Sequence, residues 1–185
     1  MRRSMALLLL SLLVARPAWP QSDTGPTTVE DLALEELAGD WHEVAAYGSW
    51  SHRRCTSDTR FHWEVRDSQT VDVRSVCTTA EGQEVRKGRL RAGVGSDGGR
   101  LAARFAPAFF AWVPGAWSDH WVLAVGKGQA WLLIGDRRRT RLSLLSRFVA
   151  LDEASFARAI HQARAQGFDI DRLVAVPHRH ADARD

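Results

Sequence analysis

Between Gly39 and Phe148 the chain passes through short apolar, aromatic and β-branched runs, each ended by a cluster of turn-forming residues at nearly regular spacing. No other feature constrains the fold as tightly. Such spacing predicts an antiparallel sheet closed into a barrel or folded into a sandwich. The first strand begins at Trp41. "TRFHWEV" (59–65) alternates Phe61, Trp63 and Val65 with Arg60, His62 and Glu64, and "TVDVRSVC" (70–77) places Val71, Val73 and Ser75 on one face. "AEGQ" and "GSDGG" lead into a fourth and a fifth strand, the fifth carrying Leu101, Ala103 and Phe105. "HWVLAV" (120–125), "AWLLIG" (130–135) and "RLSLLSRFV" (141–149) complete eight. Closing eight strands on themselves removes the exposed edges of an open sheet.

A helix follows. Asp152 is placed to cap its free N–H groups, Phe156, Ile160 and Ala163 form an apolar stripe, and Gly167 is placed to end it. "RLVAV" (172–176) predicts a last short strand. The expected fold is all-β: an eight-stranded antiparallel up-and-down β-barrel with one C-terminal α-helix packed outside. An eight-stranded barrel is just wide enough to be filled by side chains or to hold one small ligand.

Ahead of the barrel, Arg2 and Arg3 precede an apolar run from Met5 to Ala15, followed by Pro17 and Pro20. That order predicts a signal peptide over 1–21; the run falls short of the about 20 residues a spanning helix needs. The domains expected are this leader, a barrel domain over 22–177 and a flexible tail over 178–185. No cysteine follows the apolar run, so no N-terminal lipid anchor is expected. The leader holds Arg2, Arg3 and Arg16, three of the 25 basic residues, and no acid; the remainder balances 22 bases against 22 acids. A neutral chain excludes the electrostatic footprint of a nucleic-acid binder. Export implies an oxidising compartment, where an even number of cysteines favours pairing, so Cys55 and Cys77 are candidates for a disulfide.

Chemistry is sparse. No Gly-x-Ser-x-Gly elbow occurs, and no set of nucleophile, base and orienting group can be assembled. His42, His52, His62 and His120 lie near acids such as Glu43 and Asp119, but nearness in sequence does not make a base. The pair His178 and His180 lacks further metal ligands. No catalytic residue, metal site or cofactor is expected.

The motifs resemble those of the lipocalins, particularly the bacterial branch related to apolipoprotein D. Gly39 and Trp41 match the family's Gly-x-Trp, Glu43 the acid after it, and Arg147 the arginine closing the eighth strand. "RFAPAFFAWVPGAWSDHWVLAV" (104–125) and "QGFDIDRLVAV" (166–176) are similar to the corresponding segments, and the resemblance spans about residues 30–177. It implies that Trp41 plugs the narrow end of the barrel and that the Arg147 guanidinium lies across its ring, with Gly39 beside them. This chain departs from the family pattern at His42, Ala46, Ser75, Ser143 and the turn 126–129.

The resemblance also implies a cavity. It favours His120 and Val122 facing inwards, although this strand is apolar on both faces. The residues expected to meet a ligand are Trp50, Phe61, Trp63, Val73, Phe105, Phe109, Phe110, Trp112, Trp117, His120 and Val122. Arg53, Arg54 or His120 would meet an anionic head group. The ring-rich loop 107–117 admits three readings: a rim to the cavity, a peripheral membrane contact, or a loop folded over the core. The function expected is an exported carrier, periplasmic and free or membrane-associated, that sequesters a fatty acid or lysophospholipid for envelope lipid maintenance. The rivals are an exported barrel enzyme, a protein-binding scaffold without a vacant cavity, and a carrier of a non-lipid.

Overall fold

In the computed structural model, which describes residues 25–93, 98–113 and 115–179 and only the backbone of Trp50, the alternating runs become strands. They are β1 (Gly39–Tyr47), β2 (Ser57–Asp67), β3 (Thr70–Thr79), β4 (Gly82–Ala92), β5 (Arg100–Arg104), β6 (Ser118–Val125), β7 (Trp131–Gly135) and β8 (Leu142–Ser146). Each pairs antiparallel with the next. β1 closes the barrel by pairing with both β2 and β8. Its first half meets β2, Trp41 opposite Phe61. Where β2 diverges, the two-residue β9 (Val174–Ala175) takes its place against Ala45 and Ala46. The leader predicted over 1–21 lies outside the described residues.

Two apolar cores result. Inside the barrel pack Trp41, Trp63, Val71, Val73, Leu90, Leu101, Val122, Leu132 and Leu145. Outside, Tyr47, Leu123, Trp131, Leu133 and Leu144 pack under the helix α2 (Glu153–Ala165) and Phe168. β7 serves both cores and is buried along its whole length. A register shift between Val122 and Ala124 lets β6 do the same: Val122 stays with the inner core while Leu123 and Ala124 pack outside. That bulge resolves a face which alternation alone leaves open.

The Asp152 carboxylate accepts from the Ser155 N–H at 2.9 Å, capping α2 as expected. Gly167, at φ +79°, ends the helix, with Gly167 N–H bonding Arg164 O and Phe168 N–H bonding Ala163 O. The buried stripe differs from the predicted one. Ser155, Ala159 and Ala163 face the sheet, and Phe156 is exposed. Three small residues four apart let the helix lie close to the sheet, while the large Phe168 fills the space beyond its end. A short helix absent from the sequence reading, α1 (Trp50–Arg54), follows β1, capped by the Ser49 hydroxyl accepting from His52 N–H. β8 stops at Ser146, three residues before the predicted strand end.

The tail begins docked. The His178 ring meets the Glu43 carbonyl oxygen at 2.9 Å through Nε2, and Arg179 donates to the Asp58 carboxylate at 2.7 Å. Ordered contacts therefore run past the boundary at 177 to Arg179; His180 and the residues after it lie outside the described part.

Candidate functional site

The two ends of the barrel are built differently. At the end where β1 begins, Trp41 is fully buried, and its indole N–H donates to Leu37 O at 2.8 Å. The Arg147 guanidinium lies 3.6 Å from the ring centroid and donates to Asp40 O and Glu36 O. A planar cation over an indole combines cation–π attraction with fork-shaped hydrogen bonding. Gly39 is left-handed at φ +98°, and a side chain there would crowd Arg147. Leu32, Leu34 and Leu37 cover the same end. This end is sealed.

The opposite end is reached by the end of β1, the start of β6, the end of β7 and the start of β8. Here a cup of about 130 Å³ opens, lined by Glu43, Ser75, Arg86, His120, Arg141 and Ser143 beside Phe61 and Phe105. Beneath it lies an apolar void of about 20 Å³ walled by Trp63, Val73, Leu90, Ile134 and Leu145. Phe61, Phe105, His120, Ile134 and Ser143 line both. Gly88 faces inwards with no side chain, and the Phe105 ring occupies the space a Cβ would need. The disulfide fastens this end: Cys55, just after α1, bonds Cys77 near the end of β3 across 5.7 Å between Cα atoms.

The predicted ligand contacts divide. Phe61, Trp63, Val73, Phe105 and His120 line the cavity. Val122 is fully buried in the inner core and touches neither space. Trp117 is held away from the cup, donating to Ala111 O and stacked on Arg91 at 4.0 Å. Phe109, Phe110 and Trp112 stand exposed on the loop after β5, 68%, 43% and 82% open to solvent. The loop does not fold over the core, because its apolar side chains point to water. The side chain of Trp50 is not among those described.

Sequence reasoning set Ser75 and His120 on inward faces but did not pick out Glu43, Arg86 or Arg141 as parts of the polar wall. Glu43 shares the inward side of β1 with Trp41 and is 1% exposed; an acid on an apolar face was the available signal. Its Oε1 accepts from the Ser143 hydroxyl at 2.7 Å. Burial pushes its carboxyl above the usual glutamate range, and the Ser51 and Ser143 hydroxyls offset part of that. Arg86 shares its face with Gly88 and Leu90 on β4, whose alternation is broken by charges, so nothing in the sequence marked it. His120 is drawn down to about 4 by burial and by the nearby Arg141. It is neutral at neutral pH and so supplies no charge to an anion. Arg53 is engaged with Gly48 O and Arg54 lies 3.8 Å from Glu84; the cations of the cup are Arg86 and Arg141. Among the described residues no three of His, Cys, Asp and Glu converge as metal ligands would.

A family model described as "Lipocalin-like domain" matches residues 32–178. Temperature-induced lipocalin-1 of Arabidopsis thaliana is 28% identical over 152 residues, covering 80% of this chain and 81% of the plant protein. Insecticyanin of the tobacco hornworm Manduca sexta superposes with a TM-score of 0.64 at 15% identity, covering 82% of this chain and 84% of its own. Lobster apocrustacyanin A1 gives 0.60 at 14%, covering 77% of each. At such identities the solved structures testify to the fold alone. The family model testifies to descent, and with the Trp41–Arg147 plug, the eight-strand closure and the trailing helix it leads to one conclusion: this chain belongs to the lipocalin family.

Proposed function

We propose that the protein is an exported carrier which takes a small hydrophobic or amphipathic molecule, a fatty acid or lysophospholipid in class, into the open end of the barrel. The observation that carries this reading is the cup itself, which has an apolar floor of Phe61, Trp63 and Phe105 under Arg86 and Arg141. The floor takes the apolar end of the ligand, and the two guanidiniums take an anionic head group. Each buried methylene contributes about 0.8 kcal/mol before the cost of association. The disulfide is consistent with an oxidising compartment such as the periplasm. The motifs of the sequence favour the apolipoprotein D-like bacterial branch and, with it, a part in envelope lipid maintenance; the sequence-matched relative above is a plant protein.

Size sets the fit. About 130 Å³ is close to the engineered cavity of about 150 Å³ that holds one benzene, and well below the roughly 300–1,000 Å³ of drug-sized sites. The cup holds one end of an acyl chain; deeper entry requires the Phe61 and Phe105 rings to turn. The exposed Phe109, Phe110 and Trp112, on the loop that joins β5 to β6, form a surface suited to a lipid interface.

Titrating the full chain with sodium octanoate and with lysophosphatidylcholine, read by tryptophan emission, tests the carrier reading. Saturable quenching near one molecule per chain supports it, and no saturable response to either overturns it. Co-sedimentation with phosphatidylglycerol vesicles, lost in a Phe109→Ser/Trp112→Ser variant, supports the membrane contact; equal sedimentation of both forms removes it.

A further inference from the structure

Eight buried side-chain nitrogen or oxygen atoms have no hydrogen-bond partner among the described residues, and four of them belong to residues lining the cup and the void beneath it. They are Glu43 Oε2, Trp63 Nε1, Ser75 Oγ and His120 Nε2. Glu43, Trp63 and Ser75 are at most 2% exposed, and the His120 ring lies 6.0 Å from the Trp63 ring. Buried polar groups in native proteins are nearly always satisfied, because an orphan forfeits its bonds to water without replacement. Four gathered around the cup and the void beneath it, with His120 lining both, are a pattern, whereas the other four belong to His42, Thr59, Arg104 and Gln166.

From this arrangement we infer that the molecule bound in the cup carries an uncharged oxygen group, a carbonyl or hydroxyl, on the part that enters the barrel, and that Trp63, Ser75, Glu43 and His120 bind that group. The inference rests on the carrier reading and narrows its ligand class: the inserted end is not bare hydrocarbon.

The donor inventory points the same way. An indole N–H only donates, and a hydroxyl donates and accepts. Burial favours the acid form of Glu43, which also donates and accepts, and keeps His120 neutral. The Trp63 indole and the Ser75 hydroxyl thus offer donors to the cavity, which match an oxygen acceptor. Two guanidiniums, Arg86 and Arg141, outweigh the Asp119 carboxylate that lines the cup with them, which disfavours a cation. A carboxylate or phosphate is served at those same guanidiniums and has no need to enter. Glu43, Asp119 and His120 line the cup, but among the described residues no three such groups converge as a metal site requires. The volume limits the inserted part to about one six-membered ring.

Two probes of that size separate the possibilities: benzyl alcohol and toluene, titrated calorimetrically into the full chain. An apolar cavity favours toluene by roughly tenfold or more, because water holds the hydroxyl. The inference expects benzyl alcohol to bind at least as tightly as toluene. It also expects the ratio of the two affinities to fall about three- to tenfold in Ser75→Ala and in Trp63→Phe. A purely structural role would move both affinities together and leave the ratio alone. Thermal melts verify that the variants stay folded, and Ser75→Ala, which deletes one oxygen, keeps the test available if Trp63→Phe does not fold. Toluene binding tighter in the wild type, or a ratio unchanged in both variants, overturns the inference while leaving the carrier intact. No binding of either probe, together with no response to octanoate, overturns both.

Discussion

The two ends of one barrel solve opposite problems with the same strands. At the closed end every polar group of the plug is engaged: the Trp41 N–H is on Leu37 O and the Arg147 guanidinium on Asp40 O and Glu36 O. At the open end four buried polar atoms have no partner among the described residues. The closed end holds by packing and hydrogen bonds alone, whereas the open end is fastened covalently by Cys55–Cys77. An end that keeps space for a guest forgoes packing, and a cross-link acts by a different route, restricting the unfolded chain. The contrast implies that stability and binding are separately located.

The strongest way to break that separation is Trp41→Ala. Deleting a buried tryptophan costs about 3–5 kcal/mol, and here it also strands Arg147 above an empty space. Urea unfolding at neutral pH should show a loss of that size. Any fraction that remains folded should still bind octanoate, since Trp41 lines neither the cup nor the void. A well-folded Trp41→Ala protein without binding would unite the two ends functionally and defeat the comparison.

Next in size is the disulfide. The cysteines are 22 residues apart, and closing such a loop restricts the unfolded chain by about 3 kcal/mol in the entropic account. Cys55→Ser/Cys77→Ser should lower stability by about that amount, less than the loss from the plug. Proteolysis of the double variant should begin between α1 and β2, where the bridge holds the chain. A larger loss than that of Trp41→Ala would place the main anchor at the open end.

How far the sequence anticipates these two ends differs for a physical reason. The closed end is legible because Gly39, Trp41 and Arg147 are large, specific or conformationally special residues at fixed positions in β1 and just after β8. The floor of the cup is legible through alternation, at Phe61, Trp63, Val73 and Phe105. Its polar wall is legible only at Ser75 and His120. Glu43 is a polar residue on an inward position, where a pattern reading expects an apolar one, and Arg86 lies on a strand rich in charge on both faces. Hydrophobic alternation finds a core and passes over the exceptions that give it chemistry. The helix stripe misled at Phe156 and Ile160, the large apolar residues at that spacing, because close packing on the sheet selects small Ser155 and Ala159 beside the predicted Ala163. The ring-rich loop stayed open between rim, membrane contact and cover over the core because aromatic content does not say which way a ring faces; Trp112 is 82% exposed.

The smallest effect belongs to His120 and sharpens the contrast through acid. In the unfolded chain the imidazole titrates near 6.5, and in the barrel near 4. Between those values the unfolded chain takes up a proton that the native chain refuses, so stability falls as pH drops from about 6.5 towards 4 and levels off below. Between pH 7 and pH 5 the loss amounts to about 2 kcal/mol. Glu43, facing the same cavity with its affinity for a proton raised, acts in the other direction: its contribution weakens as pH climbs above 4.5, where the unfolded carboxyl ionises. Arg141 adds to the depression of His120, while Arg86 and Asp119 complete the charged groups lining the cup. In His120→Asn the difference between urea midpoints at pH 7 and pH 5 should shrink by most of that 2 kcal/mol, whereas Arg147→Lys at the sealed end should leave it unchanged. An unaltered difference in His120→Asn would put the imidazole in contact with bulk water. The open end would then be as wet as the surface, and its unpartnered atoms would need no guest.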